Sequence, residues 1–271
     1  MSKKYKVGIY GNGGMVGGAL RRYFEKKSNY ELYGYDKKGL GSIEELNKAD
    51  FIYVCLPTPY IPGVGCDTSI IENALKEIKG NKVIIIKSTI IPGTTQKFQD
   101  KFPQHKFLFN PEFLTEETAD QDMSFPDRQI IGYTKESYTI SKDILQQLPL
   151  APYERIVPSR VAEMVKYGNN TWFAIKVAMN NELYDLCKKV GFSEEEWEDV
   201  VSGIACDRRV GRTHLTIHHR GKRGYWGKCL PKNIKSLLEF AKQYGVQMPI
   251  RDSANHYNDS LLKSQGYKEY I

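Results

Sequence analysis

The chain of 271 residues is long enough for two domains or one large one. Its 41% hydrophobic and 26% charged residues exclude a disordered chain, and no apolar run reaches the roughly 18 residues of a membrane span. The formal net charge of +7 is scattered, densest at His218-His219-Arg220-Gly221-Lys222-Arg223, just ahead of Cys229. Charge alone would admit nucleic acid, but an anionic small substrate near Cys229 explains the placement better, so no nucleic-acid partner is expected.

The first half alternates short strands and helices. Strands are predicted at Lys6–Tyr10, Glu31–Tyr35, Phe51–Leu56 and Lys82–Lys87, with further candidates at Phe107–Phe109 and Gln129–Gly132. Helical patterns lie between them at Met15–Lys27, Ile43–Asn47 and Ile70–Ile78. Such alternation predicts a parallel sheet with helices on both faces. From Ser159 the texture changes. Val161–Lys189 reads as one long helix, apolar at Val161, Met164, Val165, Phe173, Ala174, Val177, Ala178, Leu183 and Leu186. Helices at Glu194–Gly203 and Ile234–Tyr244 follow. Pro149, Pro152 and Pro158 mark a linker at Ala151–Ser159. The expected architecture is therefore α/β: a Rossmann-like, doubly wound parallel sheet over residues 1–155, then a mostly helical domain over residues 156–271. The long helix is expected to join the domains, and its apolar residues on more than one face predict a homodimer through residues 161–189.

The first turn reads Gly11-Asn12-Gly13-Gly14-Met15-Val16-Gly17-Gly18, after a strand and opening a helix. Glycines there let the backbone approach a pyrophosphate at a helix N-terminus. Val16 breaks the GxGxxG spacing, while Gly11, Gly14 and Gly17 match the GxxGxxG of extended short-chain dehydrogenases. The alternative is a tight glycine turn that binds nothing. Asp36, at the end of the next strand, suits a ribose diol and repels a 2′-phosphate, which favours NAD over NADP.

Cys229 lies between a glycine-punctuated loop and a helix start marked by Pro231. The positive end of a helix dipole, with Lys228 and Lys232 alongside, favours a thiolate nucleophile. The competing reading is a small buried hydrophobe, as for most lone cysteines. The five cysteines (Cys55, Cys66, Cys187, Cys206 and Cys229) are odd in number and lack CxxC or Cys/His metal spacing, so neither a disulfide framework nor a metal site is expected. With no signal peptide, a reducing cytoplasm is the expected location.

Seven segments recur in one order: Cys55-Leu56-Pro57-Thr58-Pro59; Lys87-Ser88-Thr89-Ile90-Ile91-Pro92-Gly93-Thr94; Asn110-Pro111-Glu112-Phe113-Leu114-Thr115-Glu116; Pro126-Asp127-Arg128 with Gly132; Lys166-Tyr167-Gly168-Asn169-Asn170; Asn181-Glu182; and Gly224–Lys232. The set closely resembles the UDP-glucose/GDP-mannose dehydrogenase family, from about Lys6 to Tyr244. The resemblance implies two NAD-dependent oxidations of a nucleotide sugar's 6-hydroxyl to a carboxylate. It makes Cys229 the nucleophile that forms a thiohemiacetal and then a thioester. A thiol is chemically reasonable, because an aldehyde has no hydride to lose until a nucleophile adds to it. The resemblance gives Lys166 the developing oxyanion, Asn170 its orientation, Glu112 the hydrolytic water and Thr89 a hydroxyl near the reacting carbon. Glu116 would lie beside the nicotinamide, and Pro57, Thr58 and Ser88 would contact the cofactor. Phe113, Leu114, Arg209, Arg223, Gly224, Tyr225 and Gly227 are expected to contact the sugar nucleotide. Without the motif, Lys166 would read as a solvated helix lysine, and Asp127 with Arg128 reads as a structural turn pair.

Three features depart from the family pattern. Asn233 stands where the family has an aspartate, so a carboxylate expected among the catalytic groups is replaced by an amide that cannot take a proton. The stretch from Arg209 to Cys229 is longer than usual and rich in basic residues and histidine. Residues 245–271 are too few for the family's second nucleotide-binding domain, so the chain reads as a short member. Two rival readings follow: a single-step dehydrogenase of the 3-hydroxyacid type, and a non-catalytic or partner-dependent binding module.

Overall fold

The structure, a computed structural model, describes residues 4–267. Its first elements are β1 (Tyr5–Tyr10), α1 (Met15–Glu25), β2 (Tyr30–Asp36), β3 (Leu40–Gly41), α2 (Ile43–Leu46) and β4 (Phe51–Val54). A hairpin of β5 (Tyr60–Ile61) and β6 (Gly65–Cys66) is followed by α3 (Ser69–Glu77), β7 (Val83–Ile86), α4 (Thr94–Lys101) and β8 (Lys106–Phe109). Then come α5 (Ala119–Ser124), β9 (Arg128–Tyr133), α6 (Ser141–Gln147), β10 (Tyr153–Pro158) and the long α7 (Ser159–Lys189). The chain continues through α8 (Glu194–Ala205), β11 (His218–His219), β12 (Lys222–Arg223), α9 (Leu230–Gln243) and α10 (Pro249–Ser264).

The chain forms two compact units. The first, running to Thr58 and again over Asp67–Lys166, is built on a sheet of order β10-β9-β8-β7-β4-β1-β2-β3. Strands β2, β1, β4, β7 and β8 pair in parallel, as the alternating pattern predicts. Period-two alternation splits the central strands between two cores. Ile52, Val54, Ile84, Ile86, Phe107 and Phe109 pack on one face. Val7, Ile9, Tyr53, Ile85 and Leu108 pack on the other. With both faces covered, these strands read as continuous apolar runs, Val83–Ile86 most of all. The chain runs from β1 to β2 on one side and then to β4 on the other. The turns after β1 and β4 thus flank the point where strand order reverses.

Two features of the sheet differ from the sequence reading. β9 runs antiparallel to β8, with Leu108 opposite Tyr133, so the sheet is mixed. The expected linker at Ala151–Ser159 is largely an edge strand: β10 pairs in parallel with β9 over Tyr153–Pro158. Ile156 and Val157 pack on opposite cores, and Pro158 ends the strand, an edge position where a missing N–H is tolerated.

The units part after Lys166, within α7, rather than at residue 155. The first turns of α7 are fastened to the sheet unit. A Cβ on Gly132 would lie 2.9 Å from the Ala162 Cβ, so glycine lets the helix sit close to β9. The Glu163 carboxylate is buried and accepts from the Gly93 N–H (2.6 Å), the Thr95 N–H (2.8 Å) and the Thr95 hydroxyl (2.6 Å). Burial raises its pKa against these bonds, which lower it.

The second unit comprises Pro59–Cys66 and the chain from Tyr167 on. Ala174, Ile175, Val177 and Ala178 of α7 pack with Tyr225, Ile234 and Ala254. Tyr184 and Cys187 join Trp197, Val201, Leu215 and Ile217 in a second cluster. A capping box starts α8: the Ser193 side chain accepts from the Glu196 N–H, and the Glu196 side chain accepts from the Ser193 N–H. The β5–β6 hairpin packs on α9, where the Tyr60 hydroxyl meets Glu239 at 3.5 Å. The sequence reading has no helix at Pro249–Ser264, although Pro249 sits in its first turn.

Candidate active site

The glycine-rich turn links β1 to α1. Gly11 has φ of 90°, and a Cβ there would lie 2.5 Å from the Cys55 carbonyl oxygen. A Cβ on Gly17 would lie 2.1 Å from the Gly11 carbonyl oxygen, so α1 can meet the turn only through glycine. Gly14, exposed, is the N-cap of α1 and provides no side-chain cap; exposed Met15 and half-buried Val16 begin the helix. Asp36 closes the loop. Its Oδ2 accepts from the Gly13 N–H (3.1 Å) and its Oδ1 from the Lys38 N–H (2.9 Å). Asn12 lies over Gly34, and its buried Oδ1 has no hydrogen-bond partner among the described residues. Bare backbone, an uncapped helix N-terminus and an unmatched buried acceptor fit a dinucleotide.

Across the strand-order reversal, the Ser88 hydroxyl accepts from the Leu56 N–H (2.9 Å) and donates to the Val54 carbonyl (3.3 Å). The Thr58 hydroxyl donates to the Thr89 carbonyl (2.7 Å). Pro57 is exposed and Thr89 half-buried, so the turns after β4 and β7 are tied together with surface left for a ligand.

Beyond β8, Lys166 and Glu112 form an ion pair of 3.0 Å, with side chains 6% and 9% exposed. The Lys166 ammonium also donates to the Glu112 backbone carbonyl (2.6 Å). The other Glu112 oxygen accepts from the Leu114 N–H (2.8 Å). Burial pushes the Glu112 pKa up, but Lys166, the Leu114 amide and Lys87 outweigh it and hold it below the usual range. Phe113 lies between two cations, the Arg128 guanidinium 3.7 Å and the Lys166 ammonium 5.4 Å from its ring centre. Glu116 is exposed on the loop that follows.

The sequence reading gives no role to Lys87. It is 4% exposed and donates to Asn110, whose amide donates in turn to Gln129 and to the Ile130 carbonyl. Burial lowers its pKa to about 8, against the pull of Cys55 and Glu112. Burial likewise pushes the Cys55 thiol up to about 12. A lysine extending the all-apolar run Val83–Ile86 was the available signal: a strand buried on both faces carries its next residue inside.

The second unit holds the remaining candidates. Cys229 is exposed and is the N-cap of α9, with Pro231 in the first turn. Asn233 is 1% exposed, and its Oδ1 has no partner among the described residues. Asn170 is buried one turn beyond Lys166 on α7. Three expected substrate contacts also carry structural contacts within the second unit. Tyr225 is 3% exposed, packs in the core and donates its N–H to Asn258. Arg223 donates to Asn181 (3.2 Å) and Asp185 (2.6 Å) on α7. Gly224, at φ of 79°, passes so close to Asn258 that a Cβ would lie 2.6 Å from its Oδ1. Arg209 is exposed and paired with Asp207 at 2.6 Å, while Gly227 has open space around it.

Residues 38–148 match the NAD binding domain of the UDP-glucose/GDP-mannose dehydrogenase family, and residues 160–260 match that family's central domain. The chain belongs to this family. The cofactor implied by the first domain is NAD. A UDP-glucose 6-dehydrogenase from Rickettsia bellii is 32% identical over 225 residues, covering 79% of this chain and 50% of that protein. One from Campylobacter jejuni is 35% identical over 224 residues, covering 80% of this chain and 51% of that protein. A UDP-glucose dehydrogenase structure from Pyrobaculum islandicum superposes with a TM-score of 0.80 at 23% identity, covering 98% of this chain and 72% of that one. The chain thus spans about half the length of the curated relatives it matches. No helix among the described residues is long and apolar enough to cross a membrane.

Proposed function

We propose that this chain acts in NAD-dependent oxidation of a nucleotide sugar's 6-hydroxyl, of the UDP-glucose type, to a carboxylate in two steps. The observation that carries the reading is the buried Lys166–Glu112 pair at 3.0 Å. Two opposite charges are held out of water where one can donate to an oxyanion and the other can hold a water, an arrangement costly for stability alone.

Bound NAD supplies the acceptor for a hydride in each oxidation. The glycine turn and the N-terminus of α1 would hold its phosphates, and Asp36 its ribose. In the first oxidation the Lys166 ammonium stabilises charge on the sugar oxygen as the hydroxyl proton passes to water and a hydride leaves the carbon bearing that oxygen, giving the aldehyde. The Cys229 thiolate then adds to the aldehyde carbon, forming a C–S bond and a thiohemiacetal. Loss of a second hydride from that carbon leaves a thioester. Glu112 takes a proton from water, the water oxygen attacks the thioester carbon, and the C–S bond breaks to release acid and thiolate. An exposed nucleophilic thiol calls for a reducing compartment, the cytoplasm.

NADH release by the purified chain, measured per sugar consumed across UDP- and GDP-sugars, tests this. Two NADH per sugar with an acid product support it. One NADH with an aldehyde or ketone product leaves the single-step dehydrogenase, and no turnover with NAD bound leaves a binding module.

The second unit also supports a homodimer. Trp172, Met179, Leu186 and Val190 are 61%, 63%, 59% and 63% exposed along one stripe of α7 and its end. Their spacing of seven and then four residues is that of a helix seam. Light scattering should give twice the chain mass, and Met179→Lys should return a monomer.

A further inference from the structure

The sheet unit carries a second concave surface that the reading above does not use. A shallow groove of about 710 Å³ lies between α4 and the ends of β9 and β10, lined by residues that include Lys97, Lys135, Arg160, Tyr133, Tyr138 and Ser159. Strands β4, β7 and β8 stand between β1, which carries the glycine turn, and β9.

The charges on this groove are unbalanced. Lys97, Lys135 and Arg160 are exposed and make no ion pair among the described residues. Two carboxylates, Glu163 and Asp100, lie nearby, fewer than the three cations, and both are held by hydrogen bonds. Glu163 spends its oxygens on Gly93 and Thr95 at the start of α4. Asp100, also on the groove wall, accepts from Gln96 (2.8 Å). The positive end of α7 opens here as well, since Pro158, Ser159 and Arg160 line the groove. Ser159 is 5% exposed, and its hydroxyl has no hydrogen-bond partner among the described residues. Three exposed cations outside any ion pair among the described residues, a hydroxyl without a partner and a helix N-terminus together fit phosphate oxygens. Beside them Tyr138, 59% exposed, meets Tyr133 edge to face with ring centres 4.8 Å apart. An exposed aromatic pair next to an anion site suits a flat ring.

We propose that this groove is a second ligand site that takes a nucleoside phosphate, with Lys97, Lys135, Arg160 and Ser159 on the phosphate and Tyr138 on the base. The site is independent of the dehydrogenase reading, and its test uses no turnover. Uridine monophosphate and adenosine monophosphate are titrated calorimetrically into the protein saturated with NAD, so that the glycine turn is already filled. Binding of either, weakened at least about tenfold in Lys97→Ala/Lys135→Ala/Arg160→Ala with NAD affinity unchanged, is the expected result. Weakening at high salt and loss on removing the phosphate, with uridine or adenosine as probes, are expected too. Equal binding by the triple variant, or no binding of either nucleotide at millimolar concentration, overturns the site. Inorganic phosphate binding as tightly as the nucleotides removes the base from the proposal and overturns it as stated. If the triple variant does not fold, Lys135→Ala and Tyr138→Ala, both at exposed positions, must each weaken the nucleotide, and unchanged binding in both overturns it.

Discussion

Lys166 holds Glu112 twice, by its carboxylate at 3.0 Å and by its backbone carbonyl at 2.6 Å. One ammonium therefore fixes both the charge and the path of the loop after β8. In Lys166→Ala the Glu112 carboxylate loses its main counter-charge while staying buried. Breaking such a pair from one side costs about 3–5 kcal/mol. The sign of the pH dependence follows from Glu112, whose pKa the native contacts hold below the usual range. Wild type keeps that stabilisation above the unfolded carboxylate pKa and loses it as the pH falls through the folded value. The stability gap between wild type and Lys166→Ala should be large at pH 7 and narrow toward pH 4. Denaturant melts at both pH values check it, and a constant gap would contradict the buried-pair account. Turnover by Lys166→Ala should fall about 10²–10³-fold, well beyond any loss of NAD affinity.

Lys87 gives a prediction of opposite sign. Burial lowers its pKa to about 8, below the unfolded lysine value, so folding favours the neutral amine. Wild type should gain stability relative to Lys87→Met as the pH rises from 8 toward 10. The relative gain is of order 3 kcal/mol at most. Parallel pH profiles of the two proteins would show that Lys87 is not buried as described.

The loop glycine and the sheet acid should act as one unit. Asp36 accepts from the Gly13 and Lys38 N–H groups, so its carboxylate is already oriented. NAD should bind more tightly than NADP, and Asp36→Ala should weaken NAD and narrow the difference. Fluorescence titration with both cofactors decides this. Equal binding by wild type, or unchanged NAD affinity in Asp36→Ala, would sink it.

Cys229→Ser should permit the first oxidation and block or greatly slow the second, since an alkoxide forms much less readily than a thiolate near neutral pH. About one NADH per active site is expected, with mass spectrometry showing any covalent ester. Acid production at the wild-type rate would remove the thioester mechanism. Asn233→Asp, which replaces a buried amide whose Oδ1 has no partner among the described residues by a carboxylate, should speed thioester breakdown.

The parts of the molecule legible in the sequence are those set by local rules. Apolar runs such as Val83–Ile86 announce central strands, and Gly11, Gly17 and Asp36 announce the turn they build. Motif order brought Lys166 and Glu112 forward separately. Their pairing joins positions 54 residues apart, which no local pattern encodes. Edge strand β10 was hidden because Pro152 and Pro158 mimic a linker, and α4, with the polar sequence Thr94–Lys101, because its apolar side is little more than Phe98. Tyr225 shows the converse: its motif points to a ligand contact, while its packing in the core, at 3% exposure, is a tertiary fact that no local pattern encodes.

The division of the chain into units has a practical consequence. The polypeptide passes between them at Thr58/Pro59, again at Cys66/Asp67, and a third time inside the unbroken helix α7 after Lys166. Neither unit is a contiguous stretch of sequence. A fragment starting at Tyr167 would lose the hairpin that covers α9 and would begin midway along a helix whose opening turns belong to the other unit. No single cut in the gene separates the two units: a cut after Lys166 leaves the whole sheet unit, with the β5–β6 hairpin still attached to it, on one piece, and strips that hairpin from the other. The second piece should recover structure when mixed with the first only if the β5–β6 segment finds its place on α9.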